Sequence, residues 1–167
     1  EPIIDRALRE DWGNCDWTTD LSIGPGITCV AELRTLHPTI VAGADVAASV
    51  FKRVDPDLVI DTPILNSTFL EEGSTILRVV GSARSILKAE RVALNFLARM
   101  SGIANETRLY VDELAGVSTQ LLDSRTTTPG LRLIEKAATA AGGARNHRLC
   151  LADGVLVQDH HIKIAGS

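Results

Sequence analysis

The stretch "LLDSRTTTPGLRLIEKAATAAGG", residues 121–143, decides how this chain is to be read. With residues 117–120 before it, the opening apolar run predicts a strand over 117–123. Pro129-Gly130 turns the chain, and "LRLIEKAATAA" (131–141) predicts a helix closed by Gly142-Gly143. A second apolar run, "GVLVQD" (154–159), predicts another strand. Strand, helix, strand is the unit of a parallel sheet or barrel. Reactive groups in such folds sit at the C-terminal ends of strands. Arg125 follows one such end and Asp159 lies at another.

The turn itself admits two readings. Arg125 stands beside Thr126, Thr127 and Thr128, ahead of a helix N-terminus. A planar guanidinium, hydroxyl donors and free backbone N–H groups together suit an anion. Ordinary capping uses the same residues: Thr127 or Thr128 as N-cap, Pro129 as first helical residue, Arg125 paired with Asp123. Downstream, "GGARNHRL" (142–149) gathers Arg145, His147 and Arg148 after a double glycine. Arginines suit bidentate binding of carboxylate or phosphate, and a histidine beside them can donate or hold a proton. Taken singly, such a cluster is a solvated basic loop. Two basic clusters at neighbouring turns favour an anion site.

Working outward, "PIIDRALREDW" (2–12) places Ile3, Ile4, Ala7 and Leu8 on one helical face, and "GNCDWTTD" (13–20) reads as a polar loop. Short β-like runs follow at 27–35, 39–43, 57–64 and 74–83, with a helix at 45–54 among them. Strands with helices packed to one side predict an α+β sandwich over 1–89. From residue 84 the pattern becomes helical. Ala93, Leu97, Met100, Ala104, Tyr110, Val111 and Leu114 recur at three- and four-residue steps, which marks them as core. Ser101-Gly102 is expected to bend or divide that helical stretch. Residues 90–167 then hold linking helices and the first part of an α/β barrel. A closed barrel takes about 250 residues, so the barrel is expected to be incomplete here. The chain also opens at Glu1 without methionine, as a trimmed or incomplete N-terminus would.

Bulk properties narrow the function. The 167 residues are 45% hydrophobic and 4% aromatic, so the core is aliphatic. The net charge of −4 argues against nucleic acid as a partner. Basic and acidic residues number 11 and 17 through residue 119, but 6 and 4 after it. Positive charge therefore gathers where the turn lies, which suits a pocket for a small acidic molecule. Cys15, Cys29 and Cys150 are widely spaced and odd in number, and form no CxxC. That indicates neither a disulfide framework nor zinc, and makes a reducing cytoplasm the expected location. No apolar run reaches membrane-spanning length, and no signal peptide is visible. Asn66-Ser67-Thr68 and Asn105-Glu106-Thr107 match the glycosylation sequon, a short motif that arises by chance. His160-His161 is an unpromising metal pair, because adjacent side chains in extended chain point to opposite faces. A structural role suits it better. His37, before Pro38, is expected at the surface, and Arg91 is expected either in a surface ion pair with Glu90 or a neighbour, or in a site.

The blocks "AERVALNFLARMSGIA" (89–104), the 121–149 segment, "DGVLVQDHHI" (153–162) and "ALREDWGNCDWTTDL" (7–21) resemble the quinolinate phosphoribosyltransferases in sequence and order. The resemblance covers essentially the whole chain. It implies a sandwich followed by a type II phosphoribosyltransferase barrel, in a homodimer with shared sites. It implies transfer from phosphoribosyl pyrophosphate to quinolinate, with Mg²⁺ and decarboxylation, giving nicotinate mononucleotide for NAD biosynthesis. The family's site residues fall on Arg125, His147, Arg148 and, reaching across from a neighbouring subunit, Arg91. Thr126, Thr127 and Gln158 complete the expected substrate contacts. Two positions depart from the family pattern. The turn usually reads D-T-R-K-T, where this chain has Asp123-Ser124-Arg125-Thr126-Thr127, and the later K-D-N-H is Gln158-Asp159-His160-His161. Each lost lysine removes a cation worth on the order of a few kcal/mol at an effective dielectric of about 20. The resemblance places the Mg²⁺ acids beyond residue 167. A non-catalytic paralogue that binds a small anion or a protein partner is the alternative.

Overall fold

The computed structural model describes residues 2–62, 64 and 67–166. The chain begins with helix α1 (Pro2–Trp12), which buries Ile4 and Leu8 from its apolar face. Trp12 fastens its end: the indole N–H donates to the Lys88 carbonyl at 3.0 Å, while the Lys88 ammonium lies 4.3 Å over the ring. The segment read as a polar loop contains a short helix, α2 (Trp17–Ser22), capped by the Asp16 carboxylate on the Thr19 N–H. Its cap signal was present in the sequence, but its six residues carry no hydrophobic period that would reveal it.

Two antiparallel sheets follow. Strands β1 (Thr28–Arg34), β3 (Val59–Asp61) and β5 (Thr75–Ser82) form one sheet in the order β1-β5-β3. Strands β2 (Thr39–Val41) and β4 (Thr68–Leu70) form the other; β4 was not foreseen. The register explains the alternation. Ala31, Val79 and Ile60 align across the first sheet on its inner face, with Leu33 against Leu77 beside them. The rows Val30–Val80–Val59 and Glu32–Arg78–Asp61 occupy the outer face. Helix α3 (Ala44–Val54) buries Ala47, Val50 and Phe51 into the same core. The expected strand at 57–64 keeps its centre as β3; Pro63 lies outside the described residues, as does Asn66 of the first sequon.

Helix α4 (Ala83–Glu113) is the axis of the molecule, capped by Ser82 on the Ser85 N–H. Ser101-Gly102 does not divide it. Instead Ser101 and Asn105 replace a neighbouring strand along the open edge of β2. The Asn105 side chain accepts the Ile40 N–H at 2.9 Å and returns a donor to the Ile40 carbonyl at 2.9 Å. The Ser101 hydroxyl accepts the Ala42 N–H at 3.1 Å. Asn105 is thus spent inside the fold, and the second sequon is a chance match. The expected core stripe holds at Ala93, Leu97, Met100 and Ala104, then moves off: Tyr110 is exposed, while Val111 and Leu114 are half-buried. The buried side chain on the next turn is Thr107, against which α5 (Arg132–Ala141) ends.

The second half departs from the expected strands. Residues 117–123 form no ladder; Leu122 makes a single parallel bridge to Arg145. Residues 154–158 are irregular, and Val155 and Val157 are 94% and 63% exposed. A parallel strand exists only beside a partner, and no described residue pairs with that run. Asp159 opens a helix, α6 (Asp159–Ala165), instead of closing a strand. His160-His161 therefore lies on helix, where His161 Nδ1 accepts the Gln158 N–H at 3.0 Å, a capping role.

Gly142 lets α5 end against α4. A Cβ there would press on the Ala104 carbonyl oxygen and stand 2.6 Å from Thr107 Cβ. Gly142→Ala is expected to lower stability by about 1–3 kcal/mol, as overpacking does, read as a fall in the urea midpoint at unchanged slope.

Candidate functional site

The turn is organised from beneath by a buried carboxylate. The Asp123 and Lys136 side chains are each 5% exposed and meet at 2.5 Å. The same carboxylate accepts the His147 backbone N–H at 2.6 Å, Asn146 Nδ2 at 2.6 Å and the Thr139 hydroxyl at 3.3 Å. Asp123 thereby ties three segments together: the end of the 117–123 run, helix α5, and the loop that presents His147 and Arg148. Burial pushes its carboxyl pKa up, but the hydrogen bonds from Lys136, His147 and Asn146, with the Lys136 charge, outweigh burial and hold it below the usual value.

Helix periodicity explains why Lys136 escaped the sequence reading. It stands about 200° around α5 from Ile134, which faces the core. That places Lys136 on the side expected to meet solvent. The turn and the 144–148 loop fold over that side, so Lys136 and Thr139 look into Asp123. Adjacent Glu135 is buried as well. Its carboxylate accepts Arg99 of α4 at 2.6 Å and the Thr128 N–H at 3.0 Å, while Arg99 also reaches the Thr128 hydroxyl at 2.8 Å. Burial raises the Glu135 pKa, and the bonds from Arg99 and Thr128 more than reverse it.

These contacts correct the capping reading. Arg125 does not pair with Asp123, whose two oxygens are already taken. Neither Thr127 nor Thr128 caps the helix, because α5 starts at Arg132 with Leu131 before it. Thr127 accepts Arg132 Nε at 3.2 Å instead.

A pocket of about 380 Å³ opens above the Asp123 hub. Five of the seven expected residues line it: Arg125, Thr126, His147, Arg148 and Gln158, together with Leu156. Arg148 is steadied by a 2.7 Å bond from Nη1 to the Gly154 carbonyl. Nε of Arg125 is buried and has no hydrogen-bond acceptor among the described residues. A buried donor left unmet costs on the order of 1–3 kcal/mol, and such groups are few in folded proteins. Arg145 turns away from the pocket to bond Gln120 at 2.7 Å. Arg91 stands exposed on α4, outside the pocket, and makes no ion pair with any described residue, so the Glu90 pairing does not occur. A larger groove of about 440 Å³ between α1, α4 and α5 contains none of the expected residues, and its Arg99 is already engaged by Glu135.

Among the described residues no group of three or more His, Cys, Asp or Glu could hold a metal ion. None of the described helices is long and apolar enough to cross a membrane. The three cysteines are free.

A sandwich, a helical axis and a pocket lined by Arg125, His147 and Arg148 over the turn that leads into α5 make up the fold and its candidate site. Comparison with known proteins makes this specific. Residues 16–101 match the model of the quinolinate phosphoribosyl transferase N-terminal domain, and residues 103–167 match that of its C-terminal domain. The chain belongs to the quinolinate phosphoribosyl transferase family. It is 38% identical to a probable nicotinate-nucleotide pyrophosphorylase [carboxylating] of Synechocystis, over 100% of this chain and 56% of that protein. It is 39% identical to a chloroplastic nicotinate-nucleotide pyrophosphorylase [carboxylating] of Oryza sativa, over 98% of this chain and 44% of that one. The crystal structure of NadC from Streptococcus pyogenes superposes with a TM-score of 0.94 at 37% identity, over 99% of this chain and 59% of that one. Its counterpart from Francisella tularensis gives 0.92 at 34% identity, over 99% and 58%. The chain thus spans about half the length of these curated relatives.

Asp123 and Glu135, both buried and both depressed, give a pH prediction. A folded pKa below the unfolded value, about 3.9 for Asp and 4.3 for Glu, adds stability above those values. That stability is lost as pH falls through the folded pKa. The melting temperature should hold from pH 7 to about 5 and drop below about 4. Asp123→Asn should lose about 3–5 kcal/mol of stability near pH 7, as a broken buried pair does, and should approach the parent as pH falls, giving a shallower acid slope. An acid slope unchanged by Asp123→Asn would contradict the assignment.

Proposed function

We propose that the pocket over Asp123 receives quinolinate, and that the whole protein transfers a phosphoribosyl group to it from phosphoribosyl pyrophosphate, in the synthesis of nicotinate mononucleotide for NAD. The observation that carries this reading is the buried, unpartnered Nε of Arg125 in a pocket shared with Arg148 and His147. Quinolinate is a planar dicarboxylate. Two arginines on separate segments suit its two carboxylates, and the planar guanidinium fork fixes ring orientation as well as charge. Holding the ring in one orientation presents its nitrogen to the ribosyl carbon as pyrophosphate leaves, which is catalysis by positioning. The ring nitrogen, once ribosylated, carries positive charge. That charge stabilises the carbanion left on the adjacent ring carbon when its carboxylate departs as CO₂, and the carbon then takes a proton from water.

Family membership and similarity along the whole chain support the enzyme over the non-catalytic alternative. Thr126 and Gln158 line the pocket where the family pattern has lysines, so fewer cations face the ligand and binding relies more on Arg125 and Arg148. The proposal further includes a cytoplasmic homodimer in which Arg91, exposed and unpaired on α4, serves the neighbour's pocket. It also includes Mg²⁺ held by acids outside the described residues.

Calorimetric titration of quinolinate tests the site. Arg125→Ala and Arg148→Ala should each weaken binding by about thirtyfold or more, equivalent to roughly 2 kcal/mol, with circular dichroism unchanged. Parent-like binding by both variants would remove the pocket from consideration. Shared sites give a separate test. Arg91→Ala and Arg125→Ala, each weak alone, should recover part of the binding when mixed, because a mixed dimer keeps one intact site. No recovery would count against a shared site.

A further inference from the structure

The face of α5 turned toward the pocket carries Arg132, Lys136 and Thr139, at spacings of four and three residues. Asp123 accounts for the last two. Arg132 has a different set of partners, and none is a carboxylate. Its Nε donates to the Thr127 hydroxyl at 3.2 Å, Nη1 to the Leu149 carbonyl at 3.2 Å, and Nη2 to the Arg125 carbonyl at 3.5 Å. Two of these acceptors belong to the turn that presents Arg125. The third is the residue after Arg148. One half-buried guanidinium therefore bridges the two irregular segments that carry the pocket's arginines.

We infer that Arg132 is a positioning residue for substrate binding, fixing the separation of Arg125 and Arg148 so that both meet one ligand. The inference rests on the proposed quinolinate site. Its physical basis is that neither arginine sits on a helix or a strand ladder, so backbone bonds must hold them in place. Asp123 anchors the second segment at the His147 N–H. Arg132 anchors it again beyond Arg148 and is the bridge that also holds the Arg125 carbonyl. A planar fork can serve three acceptors in different directions. A lysine ammonium on a flexible stem is a single point donor and cannot reproduce that geometry. The residue does not line the pocket, so it acts through the two arginines.

The test is a quinolinate titration of the parent chain, Arg132→Met, Arg132→Lys, Arg148→Ala and the Arg132→Met/Arg148→Ala double variant. Misplacing one of two cooperating groups should weaken binding about tenfold or more in Arg132→Met, and lysine should not restore it. In the Arg148→Ala background the same change should cost no more than about twofold, because the pair being aligned no longer exists. Full recovery by lysine would reduce the effect to its charge. An equal cost in both backgrounds would reduce it to general stability. Either result overturns the inference. Hydrogen exchange tests the bridge without ligand. Arg132→Met should speed exchange in 124–128 and 148–150 together while the β1-β5-β3 sheet is unchanged. Should the parent bind no quinolinate, the proposed function falls. The exchange result then decides the bridge by itself: accelerated exchange in both segments sustains it, and unchanged exchange rejects it.

Discussion

The site depends on one buried ion pair. Asp123 and Lys136 meet in a place that water barely reaches, and taking two charges out of water is unfavourable by several kcal/mol each. The pair survives because the carboxylate is fully satisfied. Both its oxygens are occupied, by Lys136, Thr139, Asn146 and the His147 N–H. Such an arrangement gives more specificity than net stability. Helix α5 and the loop both reach the carboxylate that the turn carries, and a shift of any of the three leaves a charge or a donor unmet. The turn with Arg125 and the loop with Arg148 are therefore held at a set relation before any ligand arrives. Donors held in place in this way cost no rearrangement when a charged group arrives.

The same economy runs through the rest of the molecule, where side chains stand in for missing ladder partners. Asn105 and Ser101 on α4 close the edge of β2, and Arg99 with Glu135 fastens the turn to α4. Helix α4 consequently touches both halves: it buries Ala93, Leu97 and Met100 in the common core and grips the turn through Arg99. Arg91 lies on that helix, two turns before Arg99. The position proposed to serve a neighbour's pocket and the residue that secures this chain's own turn thus share one rigid element.

Legibility in the sequence followed the local or long-range origin of each feature. The strands β1 and β5, helix α3 and the α4 stripe through Ala104 are set by period and were readable. The two basic clusters were readable too, because residue type alone marks them. What escaped was tertiary in origin. Lys136 and Arg132 sit on the helical side that period assigns to solvent, and only the fold-over of the turn buries them. The strands expected at 117–123 and 154–159 have strand-like composition, but a parallel strand is defined by neighbours that no local pattern reveals. Tyr110 continued the α4 period yet faces outward, because the elements packed on that helix have ended. The capping reading of Thr127 and Thr128 failed for a similar reason: Arg132 and Glu135 claimed those groups from further along the chain.

Buried Asp123 fixes the two segments whose arginines are proposed to meet the two carboxylates of one ligand. A crystal structure of the chain with quinolinate tests it most directly. One carboxylate oxygen should lie within about 3 Å of Arg125 Nε and the second carboxylate on Arg148, with the Asp123 contacts unchanged. Quinolinate seated in the groove between α1, α4 and α5, or bound with Arg125 Nε still lacking an acceptor, would contradict it.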